Sequence, residues 1–137
     1  MDFDPQVSFE PAAWSDQVAA DLNMIADVKP RDLAIFKERV QAGEFHLMGA
    51  FHQGERVGAV IWSIEHETDG RRSLVINAAA ARPVPGADVT RELYERMVEL
   101  ARLVKASAFR CWTQRPGLVR KLETLGAKRR YVMEIEF

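Results

Sequence analysis

The sequence has few reactive or covalently constraining residues. Cys111 is the one cysteine in 137 residues, which excludes an internal disulfide and a cysteine-only metal site. There are three histidines. His46 and His52 share a face of one expected strand, about 20 Å apart along it, too far for one metal ion. No metal site is expected. No run of about 18 apolar residues exists, so no membrane span is expected. The start, Met1-Asp2-Phe3-Asp4-Pro5, lacks the basic region of a signal peptide, and a reducing cytoplasm is the expected location. Hydrophobic residues make up 47% and charged residues 28%. That composition suits one globular domain over 1–137 and excludes a disordered chain.

The net charge of −1 argues against general nucleic-acid affinity, yet the charges are unevenly placed. Residues 1–27 hold six acids and no Lys or Arg, while residues 102–130 hold nine bases against Glu123. A basic segment attracts phosphates. Alternatively, the two ends pair with each other, within one chain or between two.

Hydrophobic periodicity sets the elements. Val7 to Glu10 reads as a short strand. Trp14, Val18, Leu22 and Ile25 form a helical stripe over Pro11–Ala26. Pro30 opens a second helix with Leu33, Phe36 and Val40 on one face, closed by Gly43. The period then becomes two: Phe45 to His52, a turn at Gln53–Arg56, and Val57 to Glu67 form a hairpin. Ser73–Ala81 is an apolar run expected to be buried on both faces. Asp88 or Thr90 caps the next helix, which has Leu93, Met97, Leu100 and Val104 on one side. Ala108–Thr113 is a strand, with Phe109 and Cys111 on one face and Arg110 and Trp112 on the other. Leu118, Leu122 and Leu125 mark a helix stopped by Gly126. Tyr131, Met133, Ile135 and Phe137 alternate with Val132, Glu134 and Glu136, the pattern of a final strand.

This order resembles the GNAT (N-acetyltransferase) superfamily across nearly the whole chain. The resemblance implies an α/β (α+β) fold with a mixed, mostly antiparallel central sheet flanked by helices. Ser73–Ala81, Thr90–Lys105 and Ala108–Thr113 resemble the family's fourth strand, third helix and fifth strand. Leu125-Gly126-Ala127 is similar to the exit of its last helix. The implied activity is acetyl transfer from acetyl-CoA to an amine, on a small molecule or a protein. By this resemblance Ala79, Ala80 and Ala81 offer backbone N–H groups to the thioester, and Arg82, Gly86, Ala87, Val89 and Thr90 hold the phosphates.

The chain departs from the family pattern at two places. The family's loop reads Gln/Arg-x-x-Gly-x-Gly/Ala. Here Arg82–Thr90 is about one residue shorter, keeps only Gly86, loses a donor at Pro85, and adds a carboxylate at Asp88. Where relatives carry an asparagine and a tyrosine near the last helix, Arg115 and Leu122 stand.

Candidate chemistry is sparse. Glu65, beside His66 and Glu67, can take a proton from an ammonium, directly or through water; it can equally be a solvated strand end. Asn77 either hydrogen-bonds substrate or satisfies a strand bulge. Cys111 reads as a small buried apolar residue. Trp14, Trp62 and Trp112 are expected in the core or an interface. Ala78 to Ala81 permit close approach, either of a ligand arm or of the following helix. The rival to the enzyme is a GNAT-like domain without catalysis, a binding or assembly module that forms a homodimer. Short divergent chains of this kind look like those in phage genomes. A nucleic-acid-associated protein using residues 102–130 ranks third, since no aromatic–basic motif supports it.

Overall fold

The computed structural model describes residues 5–25, 28–113, 115–131 and 133–137. Nine elements follow in chain order: β1 (Ser8–Pro11), α1 (Asp16–Leu22), α2 (Pro30–Gln41), β2 (His46–His52), β3 (Glu55–His66), β4 (Arg72–Ala81), α3 (Val89–Leu103), β5 (Ala108–Cys111) and α4 (Pro116–Thr124). They form one five-stranded sheet in the order β1-β2-β3-β4-β5. Neighbours are antiparallel through β4, and β4 pairs with β5 in parallel. The parallel step requires a crossover, and α3 supplies it.

The local sequence explains most boundaries. Gln53 and Gly54 both have positive φ, 52° and 78°. That is the signature of a two-residue type I′ turn, whose twist matches the hairpin strands. Pro30 stands at the start of α2, and Gly43, at φ 78°, follows its end. α1 is shorter than its stripe, because Ser15 accepts from the Val18 N–H at 3.2 Å and sets the helix start. Trp14 and Ile25 nevertheless pack on its core from outside the helix. Ala26, the expected helix end, lies outside the described residues.

Helices cover both faces of the sheet. On one face Val18 and Leu22, fully buried, meet Leu47, Ala59, Ile61 and Ala78, with Leu33, Phe36 and Val40 of α2 packed around them. On the other, Met97 and Ala101 of α3 meet Met48, Val60 and Leu74, with Phe109 beside them. No helix among the described residues is long and apolar enough to cross a membrane.

Three expectations need correction. The final strand does not form: residues 128–131 and 133–137 carry no strand pairing, and Tyr131 (83%), Met133 (91%) and Ile135 (81%) stand exposed. Alternation selects a face, but a strand also needs an edge to pair with. The strand expected over Ala108–Thr113 stops at Cys111, so Trp112 lies beyond the ladder and is 60% exposed. β4 is fully buried only over Ser73–Val75 and Ala78.

Candidate functional site

β4 changes character at Asn77. Upstream, Ser73, Leu74, Val75 and Ile76 pair with Ala108, Phe109, Arg110 and Cys111 of β5. On the other side Ile76 faces Trp62 and Ala78 faces Ile61, so Asn77 is the extra residue of a β-bulge. A bulge bends its strand and increases the local twist. β5 ends at the same level, opposite Ile76. The two strands therefore part at the bulge, and the β5-facing backbone groups of Asn77–Ala81 have no strand partner among the described residues. The Asn77 amide donates to Ser63 Oγ at 2.9 Å. This places it on the face of the sheet that carries Ser63, and answers the bulge question raised by the sequence.

The small side chains of this stretch are used within the sheet. A Cβ built on Gly58 would meet Ala80 O at 2.2 Å and Ala81 Cα at 2.7 Å. Only glycine lets β3 approach β4 this closely. The approach that the four alanines permit is thus made partly by β3. Ala79 also packs in the α3 cluster.

Beyond β4 the chain turns towards the start of α3. Ala87 N–H donates to Val84 O at 3.1 Å. Between them Pro85 and Gly86, at φ 76°, hold the central positions of a type II turn. Asp88 then caps α3, accepting from the Arg91 N–H at 3.1 Å. The same oxygen accepts from the Lys121 ammonium, which α4 extends across to it. That hydrogen bond, helped by the Arg91 N–H, holds the Asp88 carboxyl below its ordinary range. A helix N-terminus attracts anions, and here the chain's own carboxylate sits on it. Arg82 is exposed, donates from its side chain to Arg56 O, and so stays at the base of the loop. Val89 and Thr90 form the first turn of α3.

A polar strip continues along the Asn77 face. Arg110 pairs with Glu67 at 2.8 Å, and Ser73 Oγ donates to the same Glu67 oxygen at 3.0 Å. Glu65 is exposed and faces Ser73 across the ladder. It lies two residues along β3 from Ser63, about 7 Å, and roughly 13 Å along the sheet from the bulge.

Other candidates fall away from this region. His46 stacks on Trp62 at 4.2 Å, and His52 Nδ1 meets Gln6 O at 2.7 Å. No cluster among the described residues could hold a metal ion. Burial pushes the Cys111 thiol up, away from nucleophilic use. Tyr94 donates its hydroxyl to Leu125 O at 2.9 Å, a contact that ties α4 to α3. The ion pairs of residues 102–130 run to Glu67, Asp88 and Glu123, not to the acidic start among the described residues. The sequence reading missed Ser63, Lys121 and Gly58. Lys121 lay within the basic segment, but nothing local marked it as the cation that reaches α3.

No family model matches this chain, and no curated protein does. Solved structures do. A ribosomal-protein-alanine N-acetyltransferase from Brucella melitensis biovar Abortus is 21% identical, with TM-score 0.74, covering 96% of this chain and 98% of that one. A transcriptional regulator from Bacillus halodurans is 19% identical, with TM-score 0.73, over 96% of this chain and 99% of that one. A glucosamine-6-phosphate N-acetyltransferase from Arabidopsis thaliana is 8% identical, with TM-score 0.64, over 95% and 98%. With the parted strands β4 and β5 and α3 crossing between them, these likenesses show that this chain has the fold of the GNAT acetyltransferases.

Proposed function

We propose that the protein is an acetyl-CoA-dependent N-acetyltransferase acting on an amine. The observation that carries this reading is the bulge at Asn77, past which β4 has no β5 partner among the described residues. The two acetyltransferases above are named for different acceptors, a protein alanine and a sugar amine. An amine is what those acceptors share.

The residues fit acetyl-CoA at one end and contest it at the other. The unpaired edge of Asn77–Ala81 suits an extended pantetheine arm, which would add to it as a strand does. Acetyl-CoA supplies the activated acetyl group. The N–H groups of Ala79 and Ala81, which alternate away from β3 because Arg82 donates to Val57 O, line the open edge and polarise the thioester carbonyl, as an oxyanion hole does. The amine attacks that carbon and the thiolate leaves. Asn77, held by Ser63, orients the acceptor on the polar strip. Glu65, roughly 13 Å along the sheet from the bulge, is beyond the reach of one water, so the ammonium proton passes to solvent before attack and the second amine proton goes to the departing thiolate. At the phosphate end, Arg82 and Lys121 supply positive charge, and Gly86, Ala87, Val89 and Thr90 supply the loop and helix start. There Asp88 competes with the phosphates for the same donors.

A second reading rests on Asp88 and Leu122. A GNAT-like domain whose α3 N-terminus is filled by its own carboxylate, with leucine where relatives carry a tyrosine, serves as a binding module without transfer. A thermal-shift titration with acetyl-CoA and with CoA separates the two. A ligand that binds the folded state at about 100 times Kd adds roughly 2.7 kcal/mol, a rise of several degrees at this size. A dose-dependent rise followed by thiol release with an amine supports the enzyme. No shift at millimolar acetyl-CoA overturns it in favour of the module.

A further inference from the structure

Val84 stands between Pro83 and Pro85 in the loop that joins β4 to α3. Proline fixes φ on either side of it, so this stretch moves as a stiff unit about the Val84 side chain. That side chain is buried in a third small core with Val7, Ala50 and Val57, and Ala87 and Val89 pack against the same cluster. An open cleft of about 190 Å³ lies between the hairpin end and the loop, lined by His52, Glu55, Pro83 and Pro85. The middle of the loop is therefore seated on Val7, Ala50 and Val57 rather than on the hairpin turn.

Two parts of that seat are fixed by the sheet. Ala50 and Val57 belong to β2 and β3, each paired with a strand on either side. Val7 lies one residue before β1, outside the ladder. A side chain 85 residues away holds it instead. Glu92, in the first turn of α3, accepts from the Gln6 N–H at 2.7 Å and from the Val7 N–H at 3.0 Å, both on one oxygen. Two successive N–H groups make a nest for a carboxylate oxygen, and hydrogen bonds to a charged acceptor are the stronger kind. His52 Nδ1, at the end of β2, meets the Gln6 carbonyl at 2.7 Å. Glu92 can therefore act on a phosphate ligand in two opposite ways. It steadies the seat of the loop, and as a carboxylate near a helix start it competes with other anions.

We infer that Glu92 is a positioning residue, which braces the loop at residues 83–88 through Gln6 and Val7. The bracing needs no ligand, and its effect on acetyl-CoA rests on the function proposed above. Hydrogen exchange followed by NMR tests the bracing. The Ala87 amide, bonded to Val84 O, should exchange about tenfold faster in Glu92→Ala, the factor expected for one lost charge-assisted hydrogen bond. The Gly70 amide, bonded to Glu67 O in the β3–β4 turn, should keep its rate. Glu92→Gln retains an acceptor oxygen without the charge, and should recover roughly half of the change or more on a logarithmic scale. An unchanged Ala87 rate in Glu92→Ala overturns the proposal. So does an equal rise at Gly70, or a glutamine variant that exchanges as fast as the alanine one. Calorimetry with acetyl-CoA gives the second arm. Glu92→Ala should bind about tenfold more weakly, because the ligand must then order the loop, while Glu92→Gln should not. Unchanged or tighter binding by Glu92→Ala overturns the role towards the ligand, since the carboxylate then acts by charge or not at all. Wild type that binds no acetyl-CoA sinks the proposed function instead, and the exchange rates still decide the bracing.

Discussion

The two halves of β4 lie in one strand and do different work. Over Ser73–Ile76 the strand is paired on both sides, and Ser73, Leu74 and Val75 are almost wholly buried. Over Ala78–Ala81 it is paired on one side only, and from Asn77 onward its side chains are an amide and four methyls. The first half anchors the sheet through apolar burial. The second exposes backbone, which chemistry at a carbonyl needs. The bulge at Asn77 is where one gives way to the other, so a single inserted residue ends the doubly paired core strand and leaves its β5-facing backbone open.

That contrast can be broken from either half. Leu74→Ala should do the most damage, about 2–5 kcal/mol, because Leu74 is fully buried against Met97. Urea unfolding should show a lowered midpoint with an unchanged slope. Gly58→Ala should follow at about 1–3 kcal/mol, because the new methyl meets the Ala80 carbonyl at 2.2 Å. Any weakening of acetyl-CoA binding beyond that loss would report on the second half alone.

Asn77→Ala should cost about 1 kcal/mol, the worth of its bond to Ser63 with the hydroxyl left bare. Acetyl transfer should fall by more than the roughly tenfold that 1.4 kcal/mol represents. A loss of stability with activity intact would make Asn77 a bulge residue only. Asp88→Asn should change stability least, within a few tenths of a kcal/mol, because asparagine caps a helix as well as aspartate. Its CoA affinity should rise, as read by calorimetry. Unchanged or weaker affinity would remove the carboxylate as the obstacle. Acid titration of the same pair provides a sign check. The folded state holds the Asp88 carboxyl below its unfolded value. Its stabilising effect is thus present above the ordinary carboxylate range and lost as pH falls through the folded value. The stability difference between wild type and Asp88→Asn should shrink on that descent.

Much of the fold was legible because burial imposes periods. The helical stripe of Leu93, Met97 and Leu100 placed α3, the period of two placed the hairpin, and Gly54 and Gly126 marked their turns. The loop residues from Arg82 to Thr90 were singled out by resemblance alone, and the turn at Pro85-Gly86 follows from residue chemistry. The strand at 131–137 failed because apolar alternation selects a face but does not by itself bring the segment to an edge. The strand end at Thr113 failed because the end of β5 is decided by where β4 bends away.

The sequence by itself determined the elements, their order and which faces are apolar, since these follow from local preferences and from spacing along one chain. Tertiary structure alone decided what lies across from what. It set Asn77 against Ser63, Gly58 beneath Ala80, and Lys121 on Asp88, 33 residues away in the chain. Such pairings depend on strand register and helix packing, which sum small terms over many residues. No residue type or local spacing records that sum.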